Sequence, residues 1–139
     1  MIFSHVKNIG SMCDIATRED IIVLMESFYS KALTDEVIGY FFVEVVPLKM
    51  DVHMPLIVDF WETVLFGKAF YKGNVLQVHQ HIHQLSAFRE EHFARWVTLF
   101  SQTVDELYSG EKAELAKQKA LSIATIMKIK TLYGGIGLP

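Results

Sequence analysis

Residues 53–96 read HMPLIVDFWETVLFGKAFYKGNVLQVHQHIHQLSAFREEHFARW, and the spacing of their apolar residues decides the fold class. His53, Ile57, Phe60, Trp61 and Val64 fall at offsets 0, 4, 7, 8 and 11, one face of a helix and not of a strand. Asp51 is the expected N-cap of that helix. Pro55 falls in its first turn or so, where a missing N–H costs little, and Gly67 ends it. Lys68 to Asn74 reads as a connection with Gly73 as its flexible point. A short helix is then expected to carry Val75, Leu76, Val78 and His79, and the polar run Gln80 to Phe88 reads as a loop. Phe93, Trp96, Val97, Phe100, Val104 and Leu107 form a second stripe, with Gly110 as its expected C-terminal stop.

The same period extends in both directions. Upstream, Thr17 followed by Asp20 matches a capping box, and Ile21, Leu24, Met25, Phe28, Tyr29 and Ala32 predict a first helix over 17–33. Thr34-Asp35-Glu36 opens a short turn or helix reaching Gly39, and Pro47 closes the aromatic run that follows. Val43 to Val46 has strand propensity, but no second strand exists to pair with it, and an isolated strand is not stable. Downstream, Leu115, Ala116, Ala120, Ile123, Ala124 and Met127 form a last stripe that stops before Gly134-Gly135. The expectation is an all-α chain of one domain, with residues 1–16 a loosely ordered arm and 134–139 a tail.

The 139 residues suit one domain, and 51% hydrophobic with 12% aromatic content is enough for a core and for wrapping a flat apolar ligand. A net charge of −3 with no basic patch argues against nucleic acid. The most apolar window, Val37 to Leu48, is broken by Gly39, Glu44 and Pro47 and falls well short of the roughly 20 residues a bilayer span needs. The start shows no basic region followed by an apolar run, so no signal peptide is expected. The single cysteine, Cys13, excludes an internal disulfide and fits a reducing, cytoplasmic setting.

Candidate chemistry gathers around the histidines. Gln77 to Gln84 holds His79, His81 and His83 at period 2. On a strand all three would share a face; on a helix His79 and His83 would, at i, i+4. Either arrangement suits zinc, but no cysteine or carboxylate stands nearby at a recognisable ligand spacing, and His81 and His83 read as solvated. His53 on an apolar helix face is, taken alone, more often a packed histidine than a ligand. Tyr29 and Trp96 taken alone are core aromatics whose polar atoms find a neighbour. No nucleophile elbow and no phosphate-cradling loop is present, and the absence of Cys-x-x-Cys-His excludes a covalently attached haem.

Taken in order, the residues say more. Phe28-Tyr29, then Phe41-Phe42, His53 with Phe60-Trp61, Lys72-Gly73-Asn74 five residues before His79, and His92-Phe93-x-x-Trp96 together resemble the truncated haemoglobins, most of all their third group. The resemblance covers roughly residues 17–130. It implies a truncated globin-like helical sandwich around a pocket for haem b, protoporphyrin IX iron held without covalent attachment. It assigns His79 as the proximal iron ligand, Tyr29 and His53 as the distal tyrosine and histidine, and Trp96 as the tryptophan beside the bound gas. Phe42 or Phe41 would pack on the haem and Ile57 would be an apolar distal residue, with Phe60 and Trp61 on the same helix. Two departures are visible: the loop between His79 and Trp96 is long by a few residues, and Val75 stands where relatives often carry proline.

A neutral imidazole on haem iron leaves the sixth position for O₂, NO or CO. O₂ held there takes on negative charge, so donors from Tyr29 and Trp96 would contribute about 1.5–3 kcal/mol each. Two such donors would slow O₂ release by about a hundredfold or more. That favours redox chemistry on O₂, NO or peroxide, NO-dioxygenase-like or peroxidase-like and served by an unidentified reductase, over oxygen transport. Tyr71, Lys72 and Arg95 are candidate partners for the haem propionates. The competing expectations are a haem-based gas sensor or store, and a helical interaction module or zinc binder using His79 and His83.

Overall fold

The computed structural model describes residues 12–42, 50–67 and 89–132, with the side chains of 130–132 excepted. Four helices carry the described chain: α1 (Arg18–Ala32), α2 (Met50–Phe66), α3 (Glu90–Leu107) and α4 (Glu111–Leu132). Among the described residues there is no strand. The strand-prone stretch 43–46, the short helix expected around His79 and the loop at 80–88 lie outside the described residues, as do most of the arm and the tail.

Each helix begins and ends for local reasons. Thr17 caps α1: its hydroxyl accepts from Asp20 N, and the Asp20 carboxylate accepts from Thr17 N at 3.1 Å. α2 runs through Pro55 and ends at Gly67, whose φ of +71° is open to glycine without strain. Because α2 includes Met50, Asp51 lies within its first turn rather than at its cap. Pro55 then falls in the second turn, where it withholds the N–H that the Asp51 carbonyl would otherwise accept.

Gly110 corrects a second expectation. α3 stops at Leu107 with Tyr108 extended, and Gly110 stands at the head of α4, where its carbonyl accepts from Glu114 N. The reason is tertiary. Asp14 reaches across from the segment before α1, and its carboxylate accepts from Lys112 N and Ala113 N at 2.8 Å each, capping α4 from outside. A Cβ on Gly110 would meet the Asp14 carboxyl carbon at 2.5 Å, and the backbone there has φ +143°. Burial works to raise the Asp14 pKa, but the N–H groups of Lys112, Ala113 and Ile15 outweigh it and hold the carboxyl below its ordinary value.

The helices bury their stripes against one another in one core. Ile21, Leu24, Met25, Phe28 and Ala32 of α1 meet Val58, Trp61 and Leu65 of α2, Leu99, Phe100 and Val104 of α3, and the alanines of α4. Polar ties sit around it. Arg18 Nη1 donates to Asp59 and Glu62 of α2 at 2.7 Å each, which pairs the nearly buried Glu62 carboxylate. Lys31 reaches Glu106 and Thr103 on α3. The Tyr108 hydroxyl donates to the Asp20 carbonyl at 2.9 Å, and burial pushes its pKa up to about 12. No helix among the described residues is long and apolar enough to cross a membrane.

Candidate functional site

The helices bring seven side chains around a cavity of about 30 Å³: Tyr29 from α1, Ile57, Phe60 and Trp61 from α2, Trp96 from α3, and Ile123 and Met127 from α4. At roughly 10–15 Å³ for one water-sized probe, that space suits a diatomic molecule and no more. Five of the seven are residues that sequence reasoning assigned to the site. Ile123 and Met127 were readable only as part of an apolar stripe. Which of its members would turn toward a cavity depends on how α4 docks, which spacing alone does not report.

Rings hold the site in shape. Phe28 stands near perpendicular to Tyr29, Trp96 and Phe100, with centroids 4.9, 5.9 and 5.4 Å away. Phe100 lies close to parallel with both indoles, 4.9 Å from Trp61 and 5.8 Å from Trp96. These offset and edge contacts are the favoured arrangements of aromatic pairs, and they leave the Trp96 ring little freedom. Phe42 meets Tyr29 edge-on at 6.1 Å.

Two polar atoms remain in this apolar frame. The Trp96 Nε1 is fully buried and has no hydrogen-bond partner among the described residues. Leaving such a donor unmet costs about 1–3 kcal/mol, and buried donors in native proteins are nearly always satisfied. The Tyr29 hydroxyl is the second. Burial drives its pKa far above the ordinary tyrosine value, so it stays protonated and remains a donor at any physiological pH. The cavity therefore offers hydrogen-bond donors and no negative charge, which suits a small acceptor.

α2 adds a second observation. Its apolar residues are not confined to the face that meets the core. Ile57, Phe60 and Val64 are only partly buried against it, and Val52 and Leu56 are about half exposed. A helix apolar on most sides is expected to be covered on most sides. The half-covered row and the unmet donor together fit a flat apolar prosthetic group with a small polar ligand, which is what haem with a bound gas would present.

The other expected residues stand as follows. His53 is half-buried, one turn before Ile57 on the same α2 stripe. Phe41 is buried and meets the His92 ring at 4.6 Å. His92 Nδ1 accepts from Arg89 N at 2.7 Å, and burial lowers its pKa, in keeping with a neutral ring. Arg95 is engaged with Asp35, to which its Nε and Nη2 donate at 3.0 and 2.7 Å. That bond is the main reason the Asp35 carboxyl is held below its ordinary value. Asp35 in turn accepts from Val37 N and Ile38 N, so Arg95 ties the turn after α1 to α3. Tyr71, Lys72 and His79, with the zinc alternative His79 and His83, lie outside the described residues. Among the described residues no group of three or more histidine, cysteine or acidic side chains is placed to hold a metal ion.

No family model matches the chain. A group 3 truncated haemoglobin of Campylobacter jejuni is 30% identical over 122 residues, which is 85% of this chain and 94% of that protein. The crystal structure of a group III truncated haemoglobin from Campylobacter jejuni superposes with a TM-score of 0.74 at 29% identity, covering 89% of this chain and 98% of the other. On sequence and fold together, the chain belongs to the truncated haemoglobin family and is most like its third group.

Proposed function

We propose that the chain holds haem b through His79, without covalent attachment, and binds O₂ and related diatomics for redox chemistry rather than for delivery. The observation that carries this reading is the buried Trp96 Nε1, without a partner among the described residues, beside the Tyr29 phenol in a cavity of diatomic size. Family membership supports the haem itself.

When bound, the haem supplies an iron with one position open to O₂, NO or CO. The chain's residues supply the rest. Trp96 Nε1 donates toward the ligand from a fixed direction, since its ring is held by Phe28 and Phe100. Tyr29 adds a second donor that cannot ionise at physiological pH. Ile57, Phe60, Ile123 and Met127 keep water out, so each hydrogen bond acts in low dielectric. His53, half-buried on the same stripe of α2, is the third distal polar group. Donors of this strength retain O₂, and retention suits reaction with a second small molecule, such as NO, using electrons from a reductase.

The test is the absorption spectrum of the purified protein mixed with haemin, beside its His79→Ala variant. A Soret band in the parent, shifted or lost in the variant, is expected. A parent that stays colourless, or an unchanged spectrum in the variant, sinks the reading, and tight zinc binding instead would favour the metal-module alternative. Consumption of NO by the O₂-loaded protein would then separate turnover from storage or sensing.

A further inference from the structure

Tyr29 lines two spaces. On its inner side is the small cavity described above. On its outer side is a wide-mouthed groove of about 480 Å³ between α1 and α2. Half-buried Leu33, Met50 and Met54 line that groove with the exposed Pro55, and the exposed carboxylates of Glu26 and Asp51 stand in its walls. Tyr29 is the one residue common to both linings, and it is 9% exposed. A comparable groove between α3 and α4, lined by Val97, Thr98 and Leu121 among others, shares no residue with the inner cavity.

We propose that small neutral ligands reach the inner cavity through the α1–α2 groove, with the Tyr29 ring as the movable partition between the two. The proposal rests on the haem reading only for where the ligand ends up. The chemistry of the groove fits such a path. Its aliphatic and thioether lining suits an apolar diatomic, and the two carboxylates disfavour anions of similar size. The partition can move because edge contacts to Phe28 and Phe42 hold the ring, and no hydrogen bond ties its hydroxyl to another described residue. A ring fixed by packing alone turns when the packing relaxes, whereas one anchored at its tip would first have to break that bond. Tyr29 thus has two roles that different substitutions separate: a donor to the ligand and a door in its path.

The experiment fills the groove without touching the cavity. Met54→Trp and Ser30→Trp each add bulk in the groove, and Thr98→Trp adds the same bulk in the α3–α4 groove. Flash photolysis of the CO-bound haem protein is expected to show association slowed by about tenfold in the first two, the effect of one modest added barrier. CO dissociation should slow in step, and the equilibrium affinity should hold, because a path resists exit as much as entry. Thr98→Trp should match the parent. Xenon under pressure gives a readout that needs no haem: it is expected beside Leu33 and Met54 in the parent and absent in Met54→Trp. Unchanged CO association in both groove variants, slowing by Thr98→Trp alone, or no xenon in the groove would overturn the route. A parent that takes up xenon there but never shows a Soret band would leave the route standing and overturn the haem reading.

Discussion

Trp96→Phe separates what the indole does for the fold from what it does for a ligand. Phenylalanine keeps a flat ring against Phe28 and Phe100 but carries no N–H. In the haem-free protein the substitution removes an unmet buried donor, a gain of about 1–3 kcal/mol. It also shrinks the ring, which costs a comparable amount, about 1–3 kcal/mol, because the space left adjoins an existing cavity and only partly collapses. The two terms oppose each other, so urea unfolding should find the variant within about 1 kcal/mol of the parent. In the O₂-bound protein only the loss counts. A hydrogen bond to an acceptor bearing charge contributes about 1.5–3 kcal/mol, so O₂ release should quicken by about 10- to 150-fold. Stopped-flow displacement of O₂ by CO measures that rate directly. If release is unchanged while the haem-free variant loses more than about 3 kcal/mol, the nitrogen served the fold and the argument from its missing partner is wrong.

The remaining predictions concern the frame. Thr17→Ala removes the hydroxyl that accepts from Asp20 N and should lower stability by about 1 kcal/mol in urea unfolding. Asp14→Asn weakens the external cap of α4 and should cost about 1 kcal/mol at pH 7. The Asp14 carboxyl has a folded-state pKa below its unfolded value near 3.9, so its stabilisation is complete above that value and fades as pH falls through the folded one. The variant should therefore lose less stability than the parent when unfolding is compared between pH 5 and pH 2. Arg18→Leu leaves the Glu62 carboxylate nearly buried without its cation and should cost about 1–3 kcal/mol, discounted because Arg18 itself is partly solvated. Adding Glu62→Gln should recover much of that loss, and a double variant no better than the single would refute the pairing.

The frame was readable because its causes are local. The capping box at Thr17, the stripe from Ile21 to Ala32 and the stop at Gly67 depend on residues a turn or two apart, and each appears where the spacing put it. Gly110 shows where such reasoning ends. A glycine after an apolar stripe looks like a C-terminal stop, yet its place is set by Asp14, which is remote in sequence and needs the space a Cβ would fill. Arg95 is similar: its partner Asp35 lies 60 residues away. The bond exists because the turn after α1 packs on α3, and neither residue type announces it. The site divides along the same line. Tyr29, Ile57, Phe60, Trp61 and Trp96, named through an ordered resemblance, line one cavity, whereas the place of Ile123 and Met127 in that lining needed the docking of α4.

A core aromatic is ordinarily assumed to have its polar atom satisfied, and for Tyr108 that assumption holds: its hydroxyl finds the Asp20 carbonyl. For Trp96 it fails. One residue lies within the apolar stripe of α3 and the other just past its end, and nothing in that spacing says which would find a partner. The difference is that Tyr108 lies within reach of the Asp20 carbonyl in the first turn of α1, whose oxygen can accept a second hydrogen bond, while Trp96 packs against the Phe28 and Phe100 rings, neither of which carries a hydrogen-bond acceptor. Folding alone would favour phenylalanine at that position, since a donor without an acceptor only detracts from stability. Tryptophan there is best explained by an acceptor that arrives later. That is how a local rule broken in the core becomes an argument for a ligand.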